Sequence, residues 1–252
     1  MNIERAKLKI RAKEIMRSSE PGVVSVGFVY ILLGVLFSVL STGVLGSNIS
    51  PSDYSQIMEH IRSGNLEFAV VYMQRFLPPA SAYAVKSALD LVFQIVSVGF
   101  IIFLINTIRR TAPCYGNLLD GFGMIFRVIF LYFMEGLFIF LWCLLLVVPG
   151  IIAAYRYRQA IYLLIDHPEM TVLDCIRESK EMMRGKKWEL FVLDLSFLGW
   201  SLLAMMPVIG WASQVWSIPY MEMTYALYYE TLCGKDVFEG ASGYSTDRDF
   251  NF

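Results

Sequence analysis

Asp90, Glu135, Arg156, Arg158, Asp194 and Glu222 all lie inside stretches of sequence that are otherwise apolar. Ionisable side chains in such surroundings are costly to bury, and they mark ion pathways, proton relays or internal ion pairs. The turn signals Pro149-Gly150 and Pro207 to Gly210 give a reference level. At ~1.5 Å per helical residue, Glu135, Asp194 and Glu222 each sit ~18–21 Å below it, on three different helices. Arg158 is ~12 Å down, with a side chain long enough to reach deeper. Three ionised carboxylates so close together repel and need a cation among them. Two chemistries fit. In one, Glu135 or Glu222 pairs with Arg158, the pair helps a weakly apolar helix enter the bilayer, and Asp194 rests among headgroups. In the other, the four residues form a proton- or cation-handling site. Arg156, nearer the turn, is expected to snorkel to the outer face.

Other groups carry less. Asp166-His167-Pro168-Glu169 contains metal-ligand types, but Asp-His-Pro ahead of a helix is first a turn. His60 stands alone. No H-E-x-x-H, G-x-S-x-G or P-loop pattern occurs, so neither an enzyme nor a bound cofactor is expected. Cys114, Cys143, Cys175 and Cys233 form no C-x-x-C pair and read as reduced thiols.

The elements that must position these charges are apolar runs: 23–45, 88–108, 128–148, 151–165, 190–206 and 211–232. Residues 23–45 contain no charge at all. A run of ~18 or more apolar residues spans a ~30 Å hydrocarbon core as a helix. Composition agrees, at 56% hydrophobic and 17% charged, against ~45–50% and ~25% in ordinary soluble chains. Net charge is −1, with no basic domain of the kind nucleic acid requires. The expected fold is all-α: a polytopic membrane bundle of six transmembrane helices with cytosolic N- and C-termini, plus short amphipathic surface helices.

The run 151–165 is the weakest of the six. Two central arginines cost ~5–7 kcal/mol, while its Ile and Leu residues return only ~2–4 kcal/mol. Sidedness nevertheless requires it to cross. With six spans, Arg5, Lys7, Lys9, Arg11, Lys13, Arg17 and the block 177–187 are cytosolic, and only Arg62, Arg75 and Lys86 are outside. Pro149-Gly150 is expected to turn the third span into the fourth, and Pro207 with Gly210 the fifth into the sixth.

Outside the bilayer, residues 1–22 mix basic and apolar positions, as suits a helix on the anionic inner leaflet. In the outer loop, 46–83, Leu66, Val70, Met73 and Leu77 recur at helical spacing. In the cytosolic segment 171–185, Thr171-x-x-Asp174 resembles a capping box. Val172, Ile176 and Met183 share one face there, and Gly185 is placed to end the helix. This face is expected to lie in the headgroups or to dock a soluble partner. Residues 233–252 form a cytosolic tail.

The second half carries an ordered signature. It begins with Leu144-Leu145-Leu146-Val147-Val148-Pro149-Gly150-Ile151-Ile152, then Tyr155-Arg156-Tyr157 and Asp166-His167-Pro168. It continues through Ser179 and Met183-Arg184-Gly185-Lys186-Lys187-Trp188 to Phe191-Val192-Leu193-Asp194-Leu195-Ser196-Phe197 and Gly199-Trp200. This resembles the bacterial integral-membrane family catalogued as domain of unknown function 975. The resemblance implies a multi-pass plasma-membrane protein, and it brings no catalytic residue with it. Two functions therefore stand at this stage. One is a small-solute or ion transport-related protein, for which so short a chain implies a homo-oligomer. The other is a non-catalytic scaffold that recruits partners or anionic lipid at the cytosolic face.

Overall fold

The apolar runs fold as helices, and no strand occurs among the residues that the computed structural model describes, namely 5–45, 51–74, 76–206, 209–235 and 237. In chain order the first elements are α1 (Arg5–Ser18), α2 (Val23–Leu45), α3 (Pro51–Arg62), α4 (Leu66–Gln74) and α5 (Ala80–Arg109). Then come α6 (Asn117–Asp120), a 3-10 turn (Gly121–Met124), α7 (Ile125–Leu145), α8 (Val147–Tyr157) and α9 (Ala160–Asp166). The last are α10 (Val172–Met182), α11 (Lys187–Leu195), α12 (Leu198–Ala204) and α13 (Ile209–Leu232).

Among the described residues, three stretches are long and apolar enough to cross a membrane: Val23–Val44, Ala80–Arg109 and Asn117–Leu145. Helix α13 has the length, at 24 residues, with Pro219 inside it. The runs 151–165 and 190–206, expected as continuous spans, are each broken in two: α8 with α9, and α11 with α12. No proline or glycine marks either break, at Arg158-Gln159 and at Ser196-Phe197, so neither was legible as a helix end.

The hairpin between the third and fourth runs also falls earlier than expected. The chain turns at Leu146, which is extended (φ −164, ψ 148), and Pro149-Gly150 lie inside the first turn of α8. Proline is tolerated there because first-turn N–H groups have no intrahelical partner. Gly150 serves close approach instead: a Cβ on it would stand 2.0 Å from Cys143 Sγ of α7. Gly210 likewise lies within the first turn of α13, and Pro207 falls outside the described residues.

The chain forms two compact units, residues 32–94 and residues 1–31 with 95–252. In the smaller unit the predicted outer loop folds as α3, α4 and the start of α5, with 46–50 and Arg75 outside the described residues. Tyr72 donates to Asp53 Oδ1 at 3.1 Å, and the His60 and Phe68 rings lie 4.3 Å apart, which ties α3 to α4. Leu66, Val70 and Met73 of α4 are exposed.

In the larger unit, α9 sits at the centre, with Ala160, Ile161, Tyr162, Leu163 and Leu164 all buried. Two amphipathic helices pack onto this core, and here the sequence expectation needs correcting. The stripe of α1 (Leu8, Ala12, Met16) is covered by protein, since α1 packs along α13, so this face does not meet the inner leaflet. Val172, Cys175, Ile176, Ser179 and Met183 are likewise buried, with α10 packed against α7, α8 and α9 rather than on headgroups. An amphipathic stripe requires a cover but does not specify lipid or protein. The ends of α10 follow expectation. Thr171 Oγ1 accepts from Asp174 N at 3.3 Å, and Gly185 takes φ +76 after the last turn. Outward-facing surfaces remain apolar: Phe126 is 84% exposed, Leu144 71% and Met205 80%.

Candidate functional site

The two helix breaks are held by side chains from elsewhere in the larger unit. At the first, the Ser179 hydroxyl of α10 donates to Arg156 O (2.8 Å) and accepts from Gln159 N (3.2 Å). One buried oxygen therefore serves two backbone groups at the interruption, a carbonyl and an amide. At the second, Lys9 of α1 donates to Ser196 O (3.2 Å), with its ammonium 4.2 Å from the centre of the Phe197 ring. Burial, with Lys13 and Arg5 nearby, lowers the Lys9 pKa from its ordinary value.

An ion pair joins the breaks. Arg158, the residue that caps the C-terminus of α8, donates through Nη1 to Asp194 Oδ2 of α11 at 2.9 Å. Tyr155 OH donates to the same oxygen at 2.9 Å. Tyr225 of α13 lies beneath the guanidinium, 4.4 Å from Arg158 Cζ, a cation–π contact. Glu222, one turn away on α13, is half-buried in the electrostatic field of Arg158 and Asp194 without bonding to either. Among the described residues, Asp194 Oδ1 and Gln159 Oε1 are buried acceptors without a hydrogen-bond partner.

Arg158, Asp194 and Glu222 are thus brought together as the spacing predicted, but with different pairing. The partner of Arg158 is Asp194, not Glu135 or Glu222, and Asp194 is inside the cluster instead of among headgroups. Equal depth on continuous helices would pair Arg158 with Glu135 or Glu222, whereas Arg158 lies just past the end of α8 and its guanidinium meets Asp194 of α11. Glu135 stands apart, half-buried on α7 and without an ion pair or hydrogen bond among the described residues. The Arg156 backbone carbonyl accepts from Ser179 of α10.

A second charged network was not foreseen. Arg109, at the end of α5, makes a two-point contact with Asp166 at the end of α9 (Nη1–Oδ1 2.8 Å, Nη2–Oδ2 2.5 Å). Its Nε donates to Glu230 Oε1 on α13 at 2.6 Å. Tyr229 OH donates to Asp166 Oδ2 (2.9 Å), and Lys235 reaches Glu230 Oε2 (2.9 Å). Burial alone would raise the pKa of Asp166, but the bonds from Arg109 and Tyr229 prevail and hold it below the usual carboxylate range. In sequence Arg109 reads as a topology charge and Asp166 as a turn residue. The available signal was that Arg109 and Asp166 immediately follow apolar runs and Glu230 lies in the last turn of another.

The Asp166 to Glu169 corner is a turn, as expected. Arg127 donates to the carbonyls of Pro168 and Met170, and His167 pairs with Glu169 at 3.0 Å. No cluster of three or more His, Cys, Asp or Glu suited to a metal occurs among the described residues.

A helical bundle with apolar outer faces, two interrupted helices and an ion pair between the interruptions defines the class of protein. Residues 91–236 match the family described as "Protein of unknown function (DUF975)", and the chain belongs to that family. The match begins well before the Leu144 signature and takes in the Arg109 end of α5. No curated protein and no solved structure matches the chain.

Proposed function

We propose that the protein is a multi-pass protein of the bacterial plasma membrane that crosses six times, with both termini cytosolic, and that its role is transport-related and non-enzymatic. The crossings are α2, α5, α7, the α8–α9 pair, the α11–α12 pair and α13. The observation that carries this reading is the Arg158–Asp194 pair at the two helix breaks. Interrupted helices in a membrane are tolerated where protein or a polar cavity satisfies the freed backbone, and transporters bind substrates and coupling ions at such interruptions. Asp194 brings to the junction a carboxylate oxygen with no hydrogen-bond partner among the described residues, and Glu222 adds a second acid beside it. This arrangement suits handling of a proton or small cation, with Arg158 as the resident counter-charge.

The test is flux. Purified protein in liposomes under a pH gradient, followed with an internal pH dye and with potassium or sodium gradients, should dissipate a gradient faster than empty liposomes. Asp194→Asn and Glu222→Gln should abolish the excess. Wild-type liposomes no leakier than empty ones would sink the transport reading. The scaffold reading would then stand, supported by the exposed charged face of α10 (Arg177, Glu178, Glu181) with Arg184 just beyond its end, as a surface for a soluble partner.

A further inference from the structure

A cavity of about 370 Å³ opens between the end of α1 and the turn that follows α5. Its walls carry two arginines, Arg11 and Arg110, and one acid, Glu20. Arg11 is committed elsewhere: Nη1 pairs with Glu14 at 3.0 Å and Nε donates to Val237 O at 3.0 Å. Arg110 and Glu20 line the same cavity as opposite charges, yet they form no ion pair with each other or with any other described residue. Arg110 is held there by an unusual turn, with φ +56 at Arg110 and φ +47 at Ala112, a left-handed backbone that non-glycine residues rarely adopt. The Ser19 hydroxyl, also on the wall, accepts from Val23 N at 3.2 Å, which leaves its own hydrogen to donate. Ile15 and Ile108 supply an apolar side.

We infer that this cavity takes the headgroup of a zwitterionic phospholipid bearing a primary amine, a phosphoethanolamine. The phosphate meets Arg110 and the Ser19 hydroxyl, and the ammonium meets Glu20. Guanidinium and hydroxyl groups are the donors that phosphate oxygens select. A purely anionic headgroup would set its charge against Glu20, and a choline would offer that carboxylate no N–H donor. The volume is at the lower end of small-ligand pockets, large enough for a headgroup. Its position fits a lipid, because α1 leads into α2 here and α5 ends here, both at the inner membrane surface in the threading proposed above. The inference rests on that membrane placement, which the labelling described at the close of the Discussion tests separately.

The experiment is native mass spectrometry of the full chain in detergent with dioleoyl phosphatidylethanolamine, phosphatidylcholine and phosphatidylglycerol, plus free phosphoethanolamine as competitor. Wild-type protein should retain phosphatidylethanolamine about tenfold more tightly than phosphatidylcholine, the weight of one charge-assisted contact. Glu20→Gln should erase that preference, and Arg110→Gln should weaken retention of all three lipids. Unchanged thermal unfolding of both exposed-site variants confirms that they are folded. Free phosphoethanolamine at millimolar concentration should displace the lipid. Equal retention of phosphatidylethanolamine and phosphatidylcholine by wild type would overturn the proposal. So would a preference for phosphatidylglycerol that Glu20→Gln leaves unchanged, or binding of free phosphoethanolamine with no lipid retained.

Discussion

Arg158 Nη1 lies 2.9 Å from Asp194 Oδ2, and this bond connects the two points in the larger unit at which the expected helical path is interrupted. Each partner lies beside a break. Arg158 follows the last residue of α8, and Asp194 is the penultimate residue of α11. An uninterrupted helix would leave the groups to be paired by depth alone. Here the two side chains meet beside the breaks, with Tyr155 bonded to the same Asp194 oxygen and Tyr225 under the guanidinium.

Removing one partner should therefore cost more than removing both. Breaking a fully buried pair costs ~3–5 kcal/mol. Arg158 keeps 38% of its side-chain surface exposed and Asp194 22%, so Arg158→Leu is expected to cost about 2 kcal/mol. Adding Asp194→Asn to it should restore part of that loss. Thermal unfolding in detergent of the wild type, both singles and the double gives the coupling energy. Strict additivity would mean that the pair contributes nothing.

Ser179 makes a sharper test of the first break. Ser179→Ala removes an oxygen that serves Arg156 O and Gln159 N at once, leaving two backbone groups without partners in a buried site. The expected loss is about 2–3 kcal/mol, within the range for buried unpaired polar groups. Hydrogen exchange at the Gln159 amide should accelerate more than at amides in the middle of α7. Protection equal to wild type at Gln159 would show that the break holds itself.

The Asp166 network gives a pH dependence whose sign is set. The native pKa of Asp166 is depressed, so its contribution to stability is complete above the unfolded carboxylate value of ~3.9 and is lost as pH falls through the lower native value. Asp166→Asn should be less stable than wild type at neutral pH by about 1–2 kcal/mol, the scale of charge-assisted bonds. The gap in melting temperature should close below pH ~4. A gap that persists unchanged at lower pH would assign the loss to packing.

Much of this architecture was legible in the residues, and the unreadable parts share a cause. The run 23–45 emerges as α2 with the same limits, because an uncharged apolar run has no competing structure. The Thr171 cap and the Gly185 turn are local chemistry and appear where they were expected. The breaks in α8–α9 and α11–α12 are bonded by Ser179 and Lys9, residues distant in sequence, and nothing near Arg158 or Ser196 announces them. The pairing of Arg158 was misassigned for that reason. Arg109, Asp166 and Glu230 are also far apart in the chain, and only the fold brings them together.

Sidedness is the remaining expectation that charge placement makes definite. Basic residues concentrate in α1 and in the segment from Arg177 to Lys187, while Arg62 and Lys86 stand almost alone around α3 and α5. Lys and Arg near crossing ends orient a chain with that charge inward. The six-crossing threading therefore puts Ser63 outside and Glu178 inside, and both positions are exposed in the fold. With the exposed cysteines Cys114, Cys143 and Cys233 replaced by serine, Ser63→Cys should react with a membrane-impermeant maleimide in intact cells. Glu178→Cys should react only after permeabilisation. Ser242, which lies outside the described residues, serves as a second inner position and should behave like Glu178. If the α8–α9 pair failed to cross, the Glu178 side would be exchanged for the outer one. Labelling of Glu178→Cys in intact cells would then show that the interrupted helices form a re-entrant element and not a crossing.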